Sequence, residues 1–147
     1  MLHFGRSSVR IDDRTVGGLT GSRVALALSR VPVETAMRER HAVWKTWGFP
    51  VGGQTMMVSS YVDNLFSCSA SAEGAIRILE DAEVFINQRW GHKMKPSSKM
   101  VMPVRGSTVN FVPPREWQVV TEFMVLGHII ADNGSTVPCL RQTEVSV

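Results

Sequence analysis

The chain has few of the residues that build metal and redox sites. Its 147 residues include two cysteines, Cys68 and Cys139, which lie far apart with no Cys-x-x-Cys pair and no histidine at ligand spacing. A structural zinc site needs four ligands at short, regular spacings, so the sequence argues against one. Two distant cysteines without a disulfide framework favour a reduced, intracellular chain.

Long hydrophobic runs are also missing. No stretch approaches the roughly 20 apolar residues that a membrane-spanning helix requires, and no signal peptide is visible. We therefore expect no membrane partner. With 44% hydrophobic and 20% charged residues, the composition predicts a globular domain. The net charge of +3 permits a nucleic-acid partner without requiring one.

Two common enzymatic motifs do not occur. The glycine run from Gly17 to Gly21 lacks the Gly-Lys-Ser/Thr ending of a phosphate loop. No Gly-x-Ser-x-Gly nucleophile motif is present. The sequence therefore predicts neither a P-loop nucleotide site nor a serine hydrolase.

Apolar periodicity predicts three helices. A short helix is expected over residues 24–28, and Pro32 is expected in the first turn of a second helix, whose stripe includes Trp44 and Trp47. A third helix is predicted between the cap residues Ser71 and Gly91. Its buried stripe comprises Ala72, Ala75, Ile76, Leu79, Ala82 and Ile86, widened by Phe85.

Two strands are predicted to meet at the pair Asp63-Asn64, which forms the turn between them. Further strands are predicted at residues 100–104 and at residues 123–130, and a second turn at residues 132–134. The element order is helix, helix, hairpin, helix, strand, strand. This order predicts an α+β fold, an antiparallel sheet with helices packed on one face.

Asp63 has two interpretations. An Asp-Asn pair at a hairpin tip commonly satisfies its own backbone and does nothing else. Alternatively, a carboxylate on a rigid hairpin can bind Mg²⁺, which takes one or two carboxylates and leaves room for substrate phosphates and water. Two-metal phosphoryl transfer needs carboxylates that hold two ions about 4 Å apart, so Asp63 would need a second carboxylate.

The segment from residue 89 to residue 105 is basic and contains no acid. It is either a solvated loop after a helix or a surface that contacts phosphates, which lysine and arginine bind without reading sequence. Its cations are Arg89, Lys93, Lys95, Lys99 and Arg105.

Taken in order, these pieces resemble the reverse transcriptases of non-LTR (LINE-like) retrotransposons. SSYVDNLFS (residues 59–67) resembles the family's Tyr-Ala-Asp-Asp strand-turn-strand, and WGHKMKPSSKMVM (residues 90–102) resembles the block that follows its next helix. FMVLGHIIADNGS (residues 123–135) is similar to the hairpin that grips the primer, and GGLTGSRVA (residues 17–25) is a weaker likeness to a glycine-led block.

The resemblance implies the palm of an RNA-directed DNA polymerase, with Mg²⁺ as cofactor and an RNA template and a DNA primer as partners. Asp63 would be catalytic, and Asp63 and Asn64 would lie at the metal. By the same resemblance, Tyr61, Val62 and Lys99 would bind the incoming nucleotide. The residues that would contact nucleic acid are Arg89, Lys93, Lys95, Leu126 and Gly127.

Two departures from the family pattern bear on activity. The second aspartate of the hairpin is Asn64 here, and the other essential aspartate has no counterpart on an apolar strand before Gly17. We expect a loop or fragment end over residues 1–16, a partial palm over 17–135 and the start of a thumb or tail over 136–147. We then expect the chain to be a fragment or a decayed copy of a retroelement RNA-directed DNA polymerase, a nucleotidyltransferase, that does not polymerise alone. The alternative is a non-enzymatic module or small interaction domain derived from a palm fold, which binds nucleic acid or a protein.

Overall fold

The computed structural model describes residues 2–4, 7–9, 23–61, 64–105 and 111–138. Two long helices account for most of the regular structure in this part: α1 spans Arg23–Lys45 and α2 spans Ala72–Trp90. No helix among the described residues is long and apolar enough to cross a membrane.

Helix α1 replaces the two helices that the sequence predicts. Pro32 lies inside it rather than at a start. A proline in a helix removes one backbone hydrogen bond and usually kinks or ends the helix. Here Val33 and Ala36, one and four residues after the proline, are buried in the core, and this packing favours continuation of the helix.

Helix α2 begins and ends close to the predicted positions. The Ser71 side chain accepts a hydrogen bond from the Gly74 amide at 3.0 Å. At the other end Gly91 adopts a left-handed conformation, with φ of 68°, and its N–H donates to the Asn87 carbonyl at 2.9 Å. Both caps satisfy backbone groups that a helix end leaves unpaired, so the predicted bounds are confirmed.

The strands are short, and in the described ranges they form five separate sheets rather than one. Four are two-stranded and one is a three-stranded meander. They are β1 (Leu2–Phe4) with β2 (Ser7–Val9), β3 (Phe49–Val51) with β4 (Gln54–Met56), β5 (Val58–Tyr61) with β6 (Asn64–Ser67), β7 (Met100–Val101) with β8 (Gln118–Val119), and β9 (Glu122–Val125), β10 (His128–Ala131) and β11 (Thr136–Pro138).

The predicted α+β class is confirmed, with two differences in detail. Strand β7 runs parallel to β8, whereas the other pairs are antiparallel. Strands β1 and β2 lie in the region expected to be a loop. Each has three residues, which is too short for an alternating apolar pattern to be recognised.

Helix α2 is buried on two sides. One side packs against α1 around Trp44, which is 1% exposed, and the other packs against β7 and the segment before β8. The predicted stripe covers much of this surface but omits Ile78, which is fully buried. The first core contains Val33, Ala36, Trp44, Ile78, Ala82 and Ile86, and the second contains Ile76, Val101 and Trp117.

Asp81 of α2 joins the two helices. Its carboxylate accepts hydrogen bonds from Arg40 Nε at 2.7 Å and Nη2 at 2.5 Å, and from Trp44 Nε1 at 2.7 Å. Burial by itself raises the pKa of Asp81. The hydrogen bonds from Arg40 and Trp44, together with the charge of Arg40, outweigh burial and lower this pKa.

We expect the substitution Asp81→Asn to lower the free energy of unfolding at pH 7 by about 1–3 kcal/mol, because charge-assisted hydrogen bonds at a partly buried site are lost. Urea denaturation measures the loss. Asp81 is stabilising above its unfolded pKa of about 3.9, and its contribution disappears as the pH falls through the lower folded pKa. The difference between wild type and Asp81→Asn therefore shrinks in acid.

The matched control is Glu39→Gln, which removes a carboxylate from an exposed ion pair between the same two helices. Exposed pairs contribute little because solvent screens them, so the control should lose much less stability. Equal losses in the two variants would contradict the central place given to Asp81.

Candidate nucleic-acid-binding surface

The hairpin of β5 and β6 carries the residues that resemble a polymerase motif. Tyr61 pairs with Asn64 across the two strands. Asn64 therefore belongs to a strand, whereas the sequence predicts it in the turn. Val62 and Asp63 lie outside the described residues, so the roles of Asp63 as metal ligand and of Val62 beside the nucleotide stay predictions.

The base of this hairpin is anchored and its far end is exposed. Met57, Val58 and Leu65 pack against the core between α1 and α2. The Ser67 hydroxyl donates to the Ala75 carbonyl of α2 at 2.8 Å. Tyr61 is 54% exposed, and Asn64 is exposed as well. The two residues at the strand ends thus face solvent on a hairpin that the helices hold in place.

Arg89 links α2 to α1. Its guanidinium forms a two-pronged ion pair with Glu39, at 2.7 and 2.9 Å, and lies 4.5 Å from the centre of the Phe85 ring. The hydrogen bond from Arg89 lowers the pKa of Glu39 and outweighs the opposing effect of burial. The charge of Arg89 is therefore already compensated inside the molecule.

Lys99 is buried, with 7% of its surface exposed. Its ammonium group lies 2.8 Å from a Glu83 oxygen and 2.9 Å from a Glu116 oxygen. The hydrogen bond to Glu83 is the main cause that raises the pKa of Lys99. Two carboxylates thus neutralise this lysine, and a nucleotide role for it rests on the resemblance alone.

Sequence reasoning missed both acidic partners of Lys99. Glu83 is 16 residues before it and Glu116 is 17 residues after it, so no local spacing marks them. The pairing arises only because β7 and the segment leading to β8 fold back onto α2.

Lys93 and Lys95 differ from these two cations. Both are exposed, and half-buried Met94 lies between them. Within the described ranges neither lysine pairs with a carboxylate. The Met94 amide donates to a Glu83 oxygen at 2.9 Å, so the backbone between the two lysines is tied to α2.

The hairpin of β9 and β10 turns at residues 126–127, and the turn predicted at residues 132–134 is confirmed between β10 and β11. The two residues that connect β9 and β10, Leu126 and Gly127, have φ angles of 52° and 78°, and Val125 pairs with His128. Two positive φ angles match the type I′ turn that favours Asn-Gly. Leu126 is a poor fit to this conformation, yet it is 60% exposed and makes the tip apolar.

The described residues bring no metal cluster together. No group of three or more histidine, cysteine, aspartate or glutamate side chains in this part could hold an ion. An open groove of about 360 Å³ lies beside the first turn of α2, where Glu73 and Arg77 carry opposite charges. The groove thus has no single charge sign with which to select a ligand.

Comparisons with family models, with curated proteins and with solved structures gave no match for this chain.

We expect Leu126→Asn to raise the free energy of unfolding by about 0.5–1 kcal/mol, because asparagine adopts a positive φ more readily than leucine does. Urea denaturation is the measurement. The control is Leu126→Ala, which keeps a side chain that disfavours positive φ and should not stabilise the protein. A destabilising effect of Leu126→Asn would show that the Leu126 side chain makes a stabilising contact.

Proposed function

We propose that this chain is part of the palm of a retroelement RNA-directed DNA polymerase and that, alone, it binds nucleic acid without polymerising. The observation that carries the proposal is the hairpin of β5 and β6. It exposes Tyr61 and Asn64 on either side of Val62-Asp63, and both helices support its base.

The order of the elements supports the same proposal. After this hairpin come α2, the basic segment, strand β7 and the hairpin that turns at Leu126-Gly127. The resemblance implies a helix, a lysine-containing block, a strand and a primer-gripping hairpin in that order. Each motif is short, so the support lies in their succession along one chain.

The chemistry of the hairpin explains why polymerisation is not expected from this chain alone. Nucleotidyl transfer by two metal ions uses one ion to activate the attacking hydroxyl and the other to stabilise the leaving phosphate. Asp63 supplies one charged ligand. Asn64 offers a carbonyl oxygen but no charge, so affinity for Mg²⁺ at this hairpin should be lower than with two aspartates.

Lys93 and Lys95 are the residues that we expect to contact nucleic acid. Arg89 and Lys99 are already paired with carboxylates, whereas these two lysines are exposed and lie two residues apart in sequence. Lysines bind phosphates as point charges and release counterions from the nucleic acid. Arg105, the remaining cation of the segment, is also exposed but lies ten residues beyond Lys95, so the proposal assigns the phosphate contact to Lys93 and Lys95.

We expect the purified chain to give no templated product in a primer-extension assay with Mg²⁺ or Mn²⁺, because one carboxylate does not hold two ions. The assay compares the wild type with Asp63→Ala. Templated synthesis by the wild type that disappears in Asp63→Ala would contradict the proposed inactivity and would establish a complete site in this chain.

We also expect the charge reversals Lys93→Glu and Lys95→Glu, combined in one variant, to weaken binding of an RNA–DNA hybrid. Each lost phosphate contact should reduce the slope of log K against log salt concentration by about 1. Fluorescence anisotropy with a labelled hybrid, measured over a range of salt concentrations, gives this slope.

The control carries the same change in net charge elsewhere. Arg38→Glu and Lys45→Glu, combined, reverse two exposed cations of α1. If binding depends on the position of Lys93 and Lys95, the control keeps most of the salt slope. Identical slopes in the two variants would show that only overall charge matters, and a wild type that does not bind the hybrid would refute the proposed contact.

A second candidate function is a protein-interaction domain. Phe49 and Met56 pair across β3 and β4, and both are exposed, as is Val51 on the same strand as Phe49. An exposed apolar face on a two-stranded hairpin is typical of a surface that binds a partner. Absence of hybrid binding by the wild type would favour this alternative.

A further inference from the structure

Glu83 holds the segment after α2 at two points. One oxygen of its carboxylate accepts the Met94 N–H at 2.9 Å, and the other lies 2.8 Å from the Lys99 ammonium. The side chain is largely buried, with 18% of its surface exposed. A single residue of a packed helix thus holds the basic segment at Met94 and at Lys99.

Within the basic segment, the stretch from residue 91 to residue 98 is also held at both of its ends. At its start Gly91 caps α2 through a hydrogen bond to Asn87 at 2.9 Å. At its end, a single helical turn spans Pro96–Ser98, and the Ser98 amide donates to the Lys95 carbonyl at 2.9 Å. Between these ends, the hydrogen bond from the Met94 N–H to Glu83 ties the backbone to α2.

We infer that Glu83 is a positioning residue that fixes the backbone around Met94, so that Lys93 and Lys95 present their charges to one phosphate backbone. The inference rests on the proposed nucleic-acid binding of this segment. It adds that an acidic residue promotes binding to an anion, because a held pair of lysines loses less conformational freedom on binding than a loose pair.

An effect of net charge and a positioning role predict opposite changes in hybrid affinity when Glu83 is removed. Glu83→Ala makes the protein more positive by one charge, so electrostatic attraction alone would tighten binding of a hybrid. Loss of the tie to Met94 frees the backbone that carries both lysines, so the positioning role predicts weaker binding. The sign of the change therefore separates the two explanations.

The test compares Glu83→Ala with Glu116→Ala in the full chain. Each variant removes one carboxylate from Lys99, but Glu116 contacts the Lys99 ammonium rather than the backbone of residues 91–95. We expect Glu83→Ala to bind an RNA–DNA hybrid about three- to tenfold more weakly than the wild type. Glu116→Ala should bind as well as the wild type or better.

A second pair of variants keeps the test valid if Glu83→Ala does not fold with its buried lysine partly unpaired. Glu83→Ala/Lys99→Met and Glu116→Ala/Lys99→Met both keep the net charge of the wild type, and both lack Lys99. We expect the first to bind more weakly than the second. Any direct role of Lys99 cancels in this comparison.

Amide hydrogen exchange at Met94 gives a readout that is independent of binding. We expect faster exchange in Glu83→Ala than in Glu116→Ala, because the N–H loses its acceptor. If the wild type binds the hybrid but the Glu83 variant and its Glu116 counterpart bind it equally well, the positioning role is overturned. If the wild type does not bind the hybrid, the proposed function is overturned, and the positioning role that rests on it is overturned as well.

Discussion

The interaction on which the rest of this structure depends is the contact of Asp81 with Arg40 and Trp44. It fixes α1 against α2 from inside their shared surface, next to a core in which Trp44 is almost fully buried. The hairpin of β5 and β6 packs on one side of this helix pair, and β7 packs on the other side of α2. The five small sheets of the described part are separate and do not pair with one another, so the two helices provide the scaffold.

Features that depend on local chemistry could be predicted from the sequence. Ser71 and Gly91 bound α2 because a capping hydroxyl and a left-handed glycine act within a few residues of themselves. Features that depend on distant contacts could not. Pro32 gives no indication whether it begins or interrupts a helix, and Ile78 falls outside a stripe drawn for one buried face when α2 has two.

The same distinction applies to the proposed binding surface. The sequence identifies a basic segment but does not separate its cations by role. The structure places Arg89 and Lys99 in ion pairs with acids 16 or more residues away in sequence, and leaves Lys93, Lys95 and Arg105 exposed. Tertiary contacts therefore remove two of the five cations from a broad electrostatic prediction, while the proposed polymerase ancestry continues to rest on ordered motifs.

The most direct test of the account is to map where nucleic acid touches the chain. Backbone amide signals of the labelled protein can be followed by NMR while an RNA–DNA hybrid is added. The account predicts shifts concentrated at residues 91–95, at the ends of the β5–β6 hairpin and at the turn of residues 126–127. Shifts confined to the exposed face of β3 and β4, or no shifts at all, would contradict a palm-derived surface that faces nucleic acid.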